Sequence, residues 1–230
     1  MQVVVCGDSF NCDDTLYPGI HWTQQLTHLN PSIKITNLSV CGASNFLIHL
    51  QIDHAIKANP DFIIVHFTTS LRTHIKYKSN KSLNDLWQRF YKLNSPNTTD
   101  TDLISFPYSG IDIFTELNKS QQNLLKTYLL DFVDLDIARL ENYYIINNGL
   151  NCLLDSEIKF MFSTGGFDHK AFLKSEEVPY QFPKFANFEV PVNLWDQWNA
   201  SREIRPYFHI LDKAVHYNLA KYYLEKLTQL

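Results

Sequence analysis

Three short apolar runs within the first 70 residues, each ending at a turn, limit what this chain can fold into. Residues 2–6 read QVVVC and stop at Gly7-Asp8-Ser9. Residues 33–40 read IKITNLSV and stop at Cys41-Gly42-Ala43, and residues 62–67 read FIIVHF. Their length and β-branched content predict strands, two of them buried on both faces. Between the first two lies a segment of helical spacing, residues 21–29, with Trp22 and Leu26 four apart and Pro31 as its stop. Between the second and third, Ser44 is a candidate N-cap for a helix to about residue 58, with Ile48, Ile52 and Ile56 as its apolar stripe. Strands alternating with helices at this spacing predict a parallel sheet joined by crossover helices.

The rest of the chain fits one domain, residues 1–230, with an insertion at about 72–118. That insertion is rich in Asn, Ser, Thr and Lys and contains NSPNTTDTD. A short helix is expected near residues 83–93. Insertions that follow a strand of such a sheet either cover the ligand crevice or are solvated loops, and both readings are open here. Asn118 and Gln121 have capping-box spacing. Leu125, Leu129, Phe132, Leu140, Tyr143 and Tyr144 then recur at helical spacing, with a break expected at Asn147-Asn148-Gly149. Residues 158–162 predict a fourth strand, running into Ser163-Thr164-Gly165-Gly166. Residues 170–206 read as irregular. A final helix over residues 212–230 turns Val215, Leu219, Tyr223 and Leu227 inward.

Composition narrows the class. The chain is 45% hydrophobic with a net charge of −4 and no basic block, which argues against a nucleic-acid partner. No run reaches the ~18 apolar residues of a membrane span. The N-terminal run is too short and lacks the basic flank of a signal peptide. Cys6, Cys12, Cys41 and Cys152 form no CxxC pair and read as free thiols of a reducing compartment, so a cytoplasmic location is expected. His49, His54, His66 and His74 have no metal-ligand spacing, and neither metal nor cofactor is expected.

In an open α/β sheet, ligands lie outside the carboxyl ends of the strands. Those ends carry Ser9, Gly42 to Asn45, Thr68 to Ser70 and Gly165 to His169, and the chain before the last helix brings His209. Acyl transfer needs such parts: a hydroxyl activated by a neighbouring base, and donors aimed at the oxyanion of the tetrahedral intermediate.

MQVVVCGDSF resembles the first block of the SGNH (GDSL-type) hydrolase family, and NLSVCGASN resembles its second. DFIIVHFTTSLR stands where the family has its third block, and RPYFHILDKAVHYNLA is similar to its last. The resemblance implies a three-layer α/β/α sandwich with a mostly parallel sheet, of the flavodoxin-like SGNH hydrolase fold. It implies an esterase or acetylhydrolase that forms a covalent acyl-enzyme on Ser9, with His209 as base. It also implies an oxyanion hole from the Ser9 and Gly42 N–H groups, with Ser70 or Asn45 as a further donor. Thr68 and Ser70 replace the third block's Gly and Asn, and Pro206 stands where the triad aspartate is expected. Asp212, three residues after His209, either orients a histidine or caps the last helix. His216 is the reserve base and Asp168 the reserve acid.

Three functions stay open: an esterase acting on a small-molecule or glycan ester, an acyltransferase of the same fold, and a binding or structural module that has lost the chemistry. Asp8 is expected to hold the serine turn rather than react. Trp195, Trp198, Phe182, Phe185 and Phe188 line an acyl pocket or form a satellite core.

Overall fold

The computed structural model describes residues 1–12, 18–40, 43–70, 72–76, 103–107, 119–165, 170–173, 176–179, 182–194 and 212–229. Strands β1 (Gln2–Cys6), β2 (Lys34–Asn37), β3 (Phe62–His66) and β6 (Lys159–Ser163) form one sheet in the order β2-β1-β3-β6. Every pair in it is parallel: Val3 lies opposite Ile35 on one side and Phe62 on the other, and Ile63 lies opposite Phe160.

Side chains alternate between two cores, as a parallel sheet covered on both faces requires. Val3, Val5, Phe62, Ile64 and Met161 pack against α1 (Trp22–Leu29) and the terminal helix α5 (Lys213–Gln229), which supply Trp22, Leu26, Leu219, Tyr223 and Leu227. Val4, Cys6, Ile63, Val65, Phe160 and Phe162 pack against α2 (Asn45–Ala58) and α4 (Leu135–Asp155). The chain is therefore the expected α/β/α sandwich. The inward stripe of the terminal helix is as expected, with Leu219, Tyr223 and Leu227 buried and Val215 partly so. Ser44 caps α2, its hydroxyl accepting from the Leu47 N–H.

Beyond the sheet, β4 (Arg72–Lys76) and β5 (Leu103–Pro107) pair as an antiparallel ribbon that leaves β3 directly. The helix expected near residues 83–93 lies outside the described residues. The described parts of residues 170–206 are more regular than their composition suggests. They hold a hairpin of β7 (Lys170–Leu173) and β8 (Glu176–Pro179), then a 3-10 helix (Pro183–Phe188). Glu189 bridges Phe162, and the Val190 N–H donates to Phe162 O at 2.8 Å, so the next residues flank the free edge of β6. Phe182 and Phe185 are buried and Phe188 packs beside them, so these rings are core and not an acyl pocket. Trp195 and Trp198 lie outside the described residues.

The long helical stretch departs from expectation twice. It divides into α3 (Lys119–Asp131) and α4, and Asp134 starts α4 by accepting from the Asp136 and Ile137 N–H groups. Phe132, Leu140 and Tyr144 are exposed, and the buried face of α4 is Ala138, Asn142, Ile146, Gly149, Leu150 and Leu153. The helix then runs through Asn147-Asn148-Gly149 without breaking. Gly149 serves close packing: a Cβ there would stand 3.1 Å from Ile52 Cδ1 on α2. Gly149→Ala gains about 1 kcal/mol of helix propensity but forces an overpacking cost of about 1–3 kcal/mol. The substitution is expected to destabilise the wild-type chain and to stabilise an Ile52→Val background, where that methyl is gone. Urea unfolding of the four proteins measures the change of sign.

Candidate active site

The strand order sets the site. From β1 the chain goes outward to β2, then crosses back to β3 on the other side of β1. The crevice of such a sheet opens at this reversal, beyond the carboxyl ends of the two central strands. Those ends are Gly7-Asp8-Ser9 and Phe67-Thr68-Thr69-Ser70.

The turn after β1 is held from three sides. The side chain of Gln51, buried on α2, accepts from the Gly7 N–H at 2.7 Å and donates to Gly7 O at 3.1 Å. The Val40 N–H also donates to Gly7 O, at 3.1 Å. A Cβ on Gly7 would fall 2.6 Å from Asn11 Nδ2, so the turn requires glycine. Asp8 holds the turn, as expected: Oδ1 accepts from the Phe10 N–H at 3.0 Å, and Oδ2 accepts from Thr68 Oγ1 at 2.6 Å. Asp8 Oδ2 also lies 3.0 Å from Arg72 Nη1, and Arg72 Nη1 donates to Ala43 O at 2.9 Å.

Ser9 is buried within this frame, and its Oγ has no hydrogen-bond partner among the described residues. The Ser70 Oγ, also buried, has none either. Two hydroxyls left in this state at the ends of neighbouring strands are unusual, because buried polar groups are normally paired.

Two expected donors or acids are engaged elsewhere. Asn45 is not a free oxyanion donor. Its Nδ2 donates to Thr68 O at 2.9 Å and to Asn142 Oδ1 at 3.1 Å, and its Oδ1 accepts from the Thr68 N–H at 2.8 Å. An amide has two N–H donors, and both are used in tying α2 to the end of β3. The Asp212 carboxylate bonds the Ala214 N–H at 2.7 Å, so it caps α5. The reserve base, His216, is buried in the first turn of α5, where its Nδ1 accepts from the Trp22 N–H at 3.2 Å. It serves the start of α1 and lies 5.0 Å, centroid to centroid, from His21. His209, Asp168 and Gly42 lie outside the described residues.

Sequence reasoning missed three residues that hold the site, and for Thr68 it missed the bond to Asp8. Gln51 and Asn142 are buried amides within helices, and a polar residue on an apolar stripe is the signal that marks them. Asn142 Nδ2 donates to Ser70 O at 3.1 Å and to Ala138 O at 2.8 Å, so it fixes the chain beside the Ser70 hydroxyl. Arg72 carried no local signal, since its partners lie on other elements.

His66, at the end of β3, is also buried. Its Nε2 is 2.8 Å from Tyr223 OH, and its Nδ1 has no partner among the described residues. Burial, helped by the nearby His21, pushes its pKa from 6.5 down to about 3. A ring with that affinity for protons stays neutral at pH 7 and is no general base there. Cys6 and Cys152 are free thiols, Cys12 Sγ donates to Asp8 O at 3.4 Å, and burial raises the Cys6 thiol out of the reactive range. Among the described residues, no three His, Cys, Asp or Glu side chains gather to hold a metal ion, and no helix is long and apolar enough to cross a membrane.

No protein-family model matches this chain, and no curated protein matches it. Among solved structures it is similar to the crystal structure of an acetyl xylan esterase, AlAXEase. The two are 10% identical over 96% of each chain, with a TM-score of 0.48. Nothing about activity follows from a likeness at that level.

Proposed function

We propose that the chain is a serine hydrolase of esters or acetyl groups. The observation that carries this reading is the Ser9 hydroxyl, buried and unpartnered among the described residues at the reversal of strand order. Ser9 Oγ attacks the acyl carbon of a small-molecule or glycan ester and passes its proton to His209. The alcohol leaves, and water then releases the acyl group from Ser9. The Ser9 and Gly42 N–H groups and the Ser70 hydroxyl stabilise the oxyanion. Ser70 supports this because its Oγ is also unpartnered, whereas the Asn45 amide is engaged. Asp168 is the remaining candidate to orient His209.

The test is hydrolysis of p-nitrophenyl acetate by the wild type and by Ser9→Ala, together with labelling by a fluorophosphonate probe. The wild type is expected to turn over and to be labelled at Ser9, and the variant to fall to the buffer background. Equal rates for the two proteins would overturn the reading. One observation favours a second reading, a binding module of the same fold: His216, a described candidate base, has its Nδ1 on the Trp22 N–H. A folded wild type that binds esters or glycans but resists the probe would establish it.

A further inference from the structure

Arg72 is the first residue of the β4–β5 ribbon, two residues after Ser70. Its side chain is 10% exposed and that of Asp8 is 2% exposed. A single nitrogen, Nη1, reaches both Asp8 Oδ2 at 3.0 Å and Ala43 O at 2.9 Å. The two contacts fall on the immediate neighbours of Ser9 and Gly42. Asp8 is fixed in turn by Thr68 at 2.6 Å, so the turn after β1, Ala43 and the end of β3 are tied through one guanidinium. A guanidinium keeps its charge at every working pH and presents its donors in a rigid plane, which suits such a junction better than an ammonium.

We infer that Arg72 is a positioning residue that holds the Ser9 turn and Ala43 in register with Ser70. This rests on the proposed function for its chemical meaning, but the clamp itself does not. Acyl transfer is sensitive to placement, and about 1 Å of displacement costs on the order of 100-fold in rate. Arg72 touches no reacting atom. Its loss should therefore slow the covalent step and leave reversible affinity unchanged.

The experiment compares the wild type, Arg72→Ala, Arg72→Lys and the double variant Asp8→Asn/Arg72→Met. The double variant removes both charges and avoids leaving one of them buried alone. Two readouts are taken: the fluorophosphonate reaction, split into its reversible and covalent steps, and amide hydrogen exchange. In Arg72→Ala the covalent step is expected to fall by roughly 100-fold with the reversible step unchanged, and Arg72→Lys to fall less. The Phe10 and Ala43 amides, whose bonds lie within the clamped turns, are expected to exchange faster in Arg72→Ala and in the double variant. The Val4 and Ile64 amides of the central strands should keep their protection. Unchanged exchange at Phe10 and Ala43 would overturn the inference, as would a uniform rise across all amides. A wild type that resists the probe would overturn the proposed function, and the exchange pattern would still decide whether Arg72 clamps the turns.

Discussion

Asp8→Ala is expected to destabilise the fold by about 3–5 kcal/mol, the cost of leaving one member of a buried ion pair without its partner. The carboxylate accepts from the Phe10 N–H and from Thr68 Oγ1, and it faces Arg72 Nη1 at 3.0 Å. Alanine removes all of these and leaves a guanidinium that is nine-tenths buried with no countercharge. Asp8→Asn should cost less, because its amide oxygen can still accept one of the bonds. Thr68→Val should cost only about 1 kcal/mol, the usual net value of a single hydrogen bond. In urea the midpoints should fall in that order, with the slope unchanged. An Asp8→Ala midpoint within about 1 kcal/mol of wild type would mean that Arg72 does not depend on this carboxylate.

The same carboxylate holds the turn that carries Ser9. Both of its oxygens are bonded to the frame, Oδ1 by the Phe10 N–H and Oδ2 by Thr68 and Arg72. Its charge is matched by Arg72, so the pair adds no net charge beside Ser9. The frame fixes the backbone of the turn, and the Ser9 Oγ within it has no partner among the described residues.

The sheet was legible because its strands announce themselves locally. Val3 to Val5 and Ile63 to Val65 are β-branched runs buried on both faces, and the crossover helices between them follow from chain length alone. The frame of the candidate site was legible only where a residue bonds within its own turn, as Asp8 does with the Phe10 N–H. Where a role depends on a distant partner, the sequence was silent or misleading. Asn45 has the composition of an oxyanion donor, yet Thr68 and Asn142 take both of its N–H groups. Asp212 sits near a histidine in sequence, yet helix capping uses its carboxylate. Gly149 follows two asparagines and resembles a helix stop, yet it is the point where α4 meets Ile52. Arg72 belongs to a polar insertion, and nothing nearby in the chain distinguishes it from a solvated arginine.

Acid is expected to unfold this protein partly through His66, and by a large amount. The ring is enclosed by Trp22 of α1, at 5.9 Å between centroids, and by Tyr223 of α5, at 5.7 Å. Tyr223 OH is its hydrogen-bond partner, and His21 is the titratable neighbour that adds to the effect of burial. In the folded state His66 stays neutral down to about pH 3, whereas in the unfolded chain it takes a proton near pH 6.5. Between those values the unfolded state binds more protons, so its stability relative to the fold grows as pH falls. The contribution is fully present above pH 6.5 and is lost at up to about 1.4 kcal/mol per pH unit below it, which amounts to at most about 5 kcal/mol by pH 3. His66→Gln keeps a polar group within reach of Tyr223 and cannot titrate. Urea midpoints of the two proteins from pH 8 to pH 4 should differ by a constant above pH 6.5, then converge or cross as acid weakens only the wild type. Parallel curves across the whole range would mean that the fold accepts His66 in its charged form, and that the closed contact with Trp22 and Tyr223 admits water.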